Sequence, residues 1–190
     1  GKITVCVVGL GYVGLPSAIE FHTKGFSVRG VDTSEKKVSL IKGGINPLDA
    51  ISVERVPEEG GRWKVSSEMD HMIDGADVAI IASGTSTLEA AVFGTPGVIV
   101  YKLSSISWWL SKLFVKVKFA GMVNLIANKE IMPELLQNDA DPDKISRYIL
   151  ELLKNPQKYN EKKMELLKVK NSLGEKGVCE KIANNIMGLN

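Results

Sequence analysis

The chain has 190 residues, 44% of them apolar and 24% charged, with a formal net charge of +2. That balance suits a globular domain with room for an appendage, and it excludes the strongly basic surface that an obligatory nucleic-acid partner needs. No stretch has the roughly 20 consecutive apolar residues of a membrane span. A strand pattern starts almost at once, which leaves no signal-peptide pattern and makes the expectation cytoplasmic. Cys6 and Cys179 lack metal-ligand spacing. No metal site is expected, and Cys6 reads as a small buried residue in a reducing compartment.

Residues 2–32 organise the rest. Ile3, Val5, Val7 and Val8 form a β-branched run around Cys6. Gly9, Gly11 and Gly14 follow in GxGxxG spacing, with Tyr12 and Val13 between them. Residues 15–24 read as a helix that Gly25 stops, and residues 26–31 as a second strand ending at Asp32. Strand, glycine turn, helix, strand and acid in this order make the first βαβ of a dinucleotide-binding fold. The first glycine permits the tight turn, the second lets a pyrophosphate approach, and the third lets the helix pack closely. Unpaired N–H groups at the helix start then face the anion. The alternative is a glycine-rich turn with no ligand. Asp32 suits both ribose hydroxyls, which favours NAD over NADP. Asp32 could equally cap the helix over residues 35–41, and the two roles are compatible.

Strand and helix alternate up to residue 103. Strands are expected at residues 63–65, 77–82 and 98–101, and helices at residues 67–73 and 87–93. Gly75 and Gly94 end those helices. This pattern predicts an α/β fold, a Rossmann-like doubly wound parallel sheet of five strands in the order 3-2-1-4-5. Residues 1–103 form that domain and residues 104–190 a helical C-terminal extension, with strands ending after Lys102. Asp141-Pro142 opens a helix with Ile145, Ile149 and Leu152 on one face. Pro156 opens another, and a last helix carries Ile182 and Ile186. Residues 106–119 hold Trp108, Trp109, Lys112, Lys116 and Lys118, either a weak membrane-surface helix or helix packing at an interface.

Two family resemblances meet within this sheet. Residues 2–81 resemble the NAD-binding start of UDP-glucose and UDP-N-acetylmannosamine 6-dehydrogenases. Val8-Gly9-Leu10-Gly11-Tyr12-Val13-Gly14-Leu15-Pro16, Gly30-Val31-Asp32, Ile45-Asn46-Pro47 and Ala76-Asp77-Val78 carry that likeness. From residue 82 onward the chain resembles lipid-A-disaccharide synthase, a glycosyltransferase of the two-Rossmann kind. That likeness runs through residues 82–91, Gly94-Thr95-Pro96, residues 100–104, Trp108-Trp109, Asn124-Leu125-Ile126, residues 133–137 and Leu173-Gly174. Val123 departs from the proline usual before the asparagine. The join falls near residues 77–82, and a fusion inside one sheet reads as an engineered chimera, since natural fusions more often join whole domains.

The resemblances imply that the dehydrogenase's nucleophilic cysteine and its lysine, and the transferase's acid/base groups, belong to other domains. No catalytic residue is therefore assigned and no turnover is expected. They also imply a donor-binding loop at Ser83-Gly84-Thr85, a ribose contact at Glu89 and a weaker donor contact at Asn124. A helix start at residues 83–85 offers N–H groups to a phosphate, whereas Glu89 could be an ordinary helical glutamate. In the order 3-2-1-4-5, both loops open on one crevice, so NAD and a uridine nucleotide should compete. The synthase family exchanges C-terminal helices between protomers, which raises a homodimer. The leading expectation is a fused domain that binds NAD or a UDP-sugar, with NAD not required for folding. Its rivals are a glycosyltransferase fragment using a UDP-linked glucosamine donor and an inert scaffold.

Overall fold

The computed structural model describes residues 3–48, 55–82, 84–102 and 118–174. Six strands form one sheet: β1 (Thr4–Val8), β2 (Ser27–Val31), β3 (Trp63–Ser66), β4 (Val78–Ile81), β5 (Gly97–Tyr101) and β6 (Glu134–Leu136). Their order is β3-β2-β1-β4-β5-β6, and every pair is parallel. β1 is central, with Val5 opposite Val28 on one side and Val78 on the other. The helices are α1 (Gly14–Thr23), α2 (Glu35–Lys42), α3 (Asp70–Ile73), α4 (Ser86–Phe93), α5 (Met122–Ala127), α6 (Pro142–Lys154) and α7 (Pro156–Ser172).

Helices cover both faces, so the central strands β1, β4 and β5 are near-continuous apolar runs, whereas β2 and β3 toward the edge alternate with polar residues such as Arg29 and Lys64. Val5, Val7, Ile80 and Val100 share one core with Leu15 and Phe21 of α1, Ile41 of α2 and Ile149 of α6. Cys6, Val8, Ile81 and Ile99 share the other with Ile73 of α3, Ala90 of α4, Val123 of α5 and Leu166 of α7. The strand period of two divides these sets cleanly. Burial pushes the Cys6 thiol up to about 12, with nearby Arg29 opposing the shift. It is an inert core residue.

Two expectations are corrected. Strands do not end after Lys102: β6 pairs with β5 through Ile99 opposite Glu134 and Tyr101 opposite Leu136. At three residues it is too short for a period to show, but it adds a sixth member to the five-stranded order. α3 begins at Asp70, not at residue 67. The Ser66 hydroxyl accepts the Glu68 N–H at 3.0 Å, and this local bond competes with the helical turn.

The C-terminal helices belong to the same body. Asp141 caps α6 by accepting the N–H groups of Asp143 and Lys144, with Pro142 in the first turn. Ile145, Ile149 and Leu152 are completely buried on this chain's own sheet, each contributing about 1.5 to 3 kcal/mol. That stripe therefore needs no second copy to cover it. Asn155 caps α7 through the Lys158 N–H. The Tyr159 hydroxyl donates to the Asp77 carbonyl at 2.8 Å, and the Asp77 carboxylate accepts the Thr4 N–H at 2.7 Å. α7 is thus tied to the starts of β4 and β1. Trp108, Trp109, Cys179, Ile182 and Ile186 lie outside the described residues. Among the described residues, no helix is long and apolar enough to cross a membrane.

Candidate functional site

The three glycines after β1 differ in what they do. Gly9 has φ +91°, and a Cβ there would lie 2.9 Å from that of Ala82. A Cβ on Gly14 would lie 1.9 Å from the Gly9 carbonyl oxygen. Both glycines are demanded by the turn itself. Gly11 has neither reason: its φ is not positive, and a Cβ there would meet no protein atom within 4 Å. Its small size leaves space rather than filling a tight contact. The α1 helix that follows has no side-chain cap. Pro16 has no N–H, and the Leu15 and Ser17 N–H groups donate to the Gly11 and Val13 carbonyls, which leaves the N–H groups of the crevice-lining Val13 and Gly14 for an anion.

Asp32 closes the β2 side. It is 8% exposed. One carboxylate oxygen accepts the Ser34 N–H at 3.0 Å, while the other accepts the Leu10 N–H at 2.9 Å and Lys37 Nζ at 2.6 Å. The cap of α2 is Ser34, which accepts the Lys37 N–H. Asp32 instead ties the glycine turn to the start of α2. These residues line a crevice of about 420 Å³ at the carboxyl ends of the strands, bounded on the far side by Ala82, Val100, Tyr101 and Lys102. Tyr12, 61% exposed, stands at its edge. The structure thus brings Gly9, Gly11, Tyr12, Val13, Gly14 and Asp32 together.

The loop after β4 is arranged differently. Ser83 lies outside the described residues. The Gly84 carbonyl accepts the Thr87 hydroxyl and, at 3.4 Å, the Met122 N–H. The buried Thr87 hydroxyl in turn accepts the Val123 N–H at 3.1 Å. A Cβ on Gly84 would lie 3.0 Å from the Tyr101 hydroxyl. Burial, reinforced by the Glu134 carboxylate, raises the Tyr101 phenol above its ordinary range. Thr85 is exposed at the start of α4, which has no side-chain cap. Glu89 is half-buried on α4 and does not line the crevice. Burial raises its carboxyl group, and Asp70 adds to the rise.

Asn124 is completely buried. Its amide nitrogen donates to the Met132 carbonyl at 2.6 Å and the Glu134 carboxylate at 2.9 Å. Its oxygen accepts the N–H groups of Ile131 at 2.8 Å and Met132 at 3.0 Å. Two donors and two lone pairs are thereby used up. Glu134 also accepts the N–H groups of Ala120 and Gly121. Asn124 is an internal strut whose amide is spent on Ile131, Met132 and Glu134 rather than offered to the crevice.

Lys37 and Lys102 are crevice residues that the sequence reading missed. Lys37 had a signal, since a lysine in the first turn of the helix after Asp32 can reach back to that acid. Lys102 had none beyond its place at a strand end. Among the described residues, no His, Cys, Asp and Glu cluster could hold a metal.

A family model for lipid-A-disaccharide synthetase matches residues 58–186. Residues 58–81 therefore fall within both resemblances. The lipid-A-disaccharide synthase of Persephonella marina is 43% identical over 109 residues, covering 57% of this chain and 29% of that protein. The enzyme of a Sulfurihydrogenibium species is 43% identical over 118 residues, covering 62% and 30%. The chain thus spans less than a third of these relatives' length. Among solved structures, the UDP-N-acetyl-mannosamine dehydrogenase of Staphylococcus aureus shares 23% identity with a TM-score of 0.40, covering 60% of this chain and 34% of that one. The UDP-D-ManNAc dehydrogenase of Pyrococcus horikoshii shares 19% with a TM-score of 0.42, covering 70% and 35%.

Proposed function

The chain belongs to the lipid-A-disaccharide synthetase family through residues 58–186, and from that premise we propose that it is a nucleotide-binding module whose ligand lies across the crevice of β1, β2 and β4. NAD is the ligand that suits the first half. Its diphosphate would lie over Gly11 and the uncapped start of α1, and its ribose would share Asp32 with Lys37. The observation that carries this is Gly11: neither φ nor internal packing accounts for a glycine there. Among the described residues, Asp32 is the one carboxylate lining the crevice, and its oxygens already accept three hydrogen bonds.

Family membership favours a second ligand, a uridine nucleotide of the UDP-sugar kind, held by Gly84, Thr85 and Glu89. Ala82 lines the crevice immediately before that loop, so the two ligands would meet. Calorimetric titration with NAD and with UDP tests both readings. Saturable NAD binding, weakened at least about tenfold by Gly11→Val through lost room for the diphosphate, is the expected result. UDP should then compete with NAD. Full, simultaneous saturation by both would contradict the shared crevice. NAD binding unchanged by Gly11→Val would contradict the assigned diphosphate position.

A further inference from the structure

Among the described residues, Lys37 and Lys102 are the lysines that line the crevice, and their charges are disposed differently. Lys37 is committed, with its ammonium 2.6 Å from the Asp32 carboxylate. Lys102 stands just past the carboxyl end of β5, is exposed, and forms no ion pair among the described residues. Val98 and Val100 of β5 belong to the core shared with α1, and Lys102 follows them at the same period of two. The uncapped start of α1 and the Lys102 side of the crevice therefore border one hollow.

Asp32 and Lys37 neutralise each other, so among the described residues Lys102 leaves the crevice lining with one net positive charge. A doubly wound sheet takes one half of a dinucleotide over each half of its strands, and the acid after β2 marks the first. Lys102 is on the other half, beyond β4. Resting on the nucleotide reading of this crevice, we infer that Lys102 is an anion-binding residue that selects ligands by the charge of their distal half. A nucleoside diphosphate places its terminal phosphate toward Lys102. The oxidised nicotinamide dinucleotide places a pyridinium cation there, and the reduced form a neutral ring. The crevice thus favours ADP most, NADH next and NAD+ least.

The test is titration of the whole chain with ADP, NADH and NAD+ at low and high salt, in wild type and Lys102→Gln. Lys170→Gln, an exposed lysine of α7 away from the crevice, controls for net charge. ADP should bind roughly tenfold more tightly than NAD+, the scale of one charge-assisted phosphate contact. Lys102→Gln should reduce ADP affinity about fivefold to tenfold while changing NAD+ less than about twofold. Salt should shrink the difference, because an exposed charge is screened. Lys170→Gln should leave all three affinities alone. Equal wild-type affinities, or an equal loss for all three ligands in Lys102→Gln, would overturn Lys102 selection while leaving the crevice a nucleotide site. Failure of wild type to bind any of them would overturn the nucleotide reading and this inference together.

Discussion

The loops after β1 and β4 look alike in sequence, each a glycine turn leading into a helix, yet they spend their polar groups in opposite ways. Both helices that follow lack a side-chain cap, but around the first loop Gly11 borders empty space. Around the second, the Gly84 carbonyl, the Thr87 hydroxyl, the Asn124 amide and the Glu134 carboxylate are bonded to one another and to nearby backbone. A motif shows where a site could be. The hydrogen-bond account shows whether anything is left for a ligand.

The largest effect should come from the second region, and on stability. Asn124→Ala would leave the buried Met132 N–H unpaired and the Ile131 N–H with the Lys129 carbonyl as its acceptor, costing about 2 to 4 kcal/mol. Urea denaturation reads this as a lower midpoint, and a loss under 1 kcal/mol would break the strut assignment. Gly11→Val should do the reverse, removing most nucleotide affinity while thermal unfolding shifts by no more than about 1 kcal/mol. Gly84→Ala sharpens the contrast. Its Cβ would press the Tyr101 hydroxyl at 3.0 Å, costing about 1 kcal/mol of overpacking, with NAD affinity unchanged in calorimetry.

The smallest effect concerns pH. Glu89 is raised by burial and by Asp70, so its folded pKa exceeds the unfolded value. The folded state binds protons more readily there, and the ionised carboxylate is slightly destabilising above that folded pKa. Glu89→Gln should therefore raise the melting temperature a little at pH 7. The gain should fade as pH drops through the folded pKa of Glu89 and be gone below the unfolded value of 4.5. A gain that persists at pH 3.5 would contradict the shift.

Much of the fold is legible because it rests on period and punctuation. Val5, Val7 and Val8 before Gly9 announce β1, and Asp141-Pro142 announces α6. The strand order follows from alternating elements and right-handed crossovers. β6 is not legible, since Glu134, Leu135 and Leu136 are too few to alternate and follow Pro133. The crevice residues Gly9 to Asp32 are legible as a motif with fixed spacing. Asn124 is not legible as a strut, because its partners Ile131, Met132 and Glu134 are joined to it by a loop without periodicity. Lys102 is invisible in sequence because its neighbours in the crevice come from β1 and β2, far away along the chain.

Amide chemical-shift mapping during titration with NAD compares the two regions most directly. Large shifts are expected at Gly11, Tyr12, Val13 and Gly14, and small ones at Asn124, Ile131 and Met132. Shifts centred on Gly84 and Asn124, with the Gly11 loop unmoved, would contradict it.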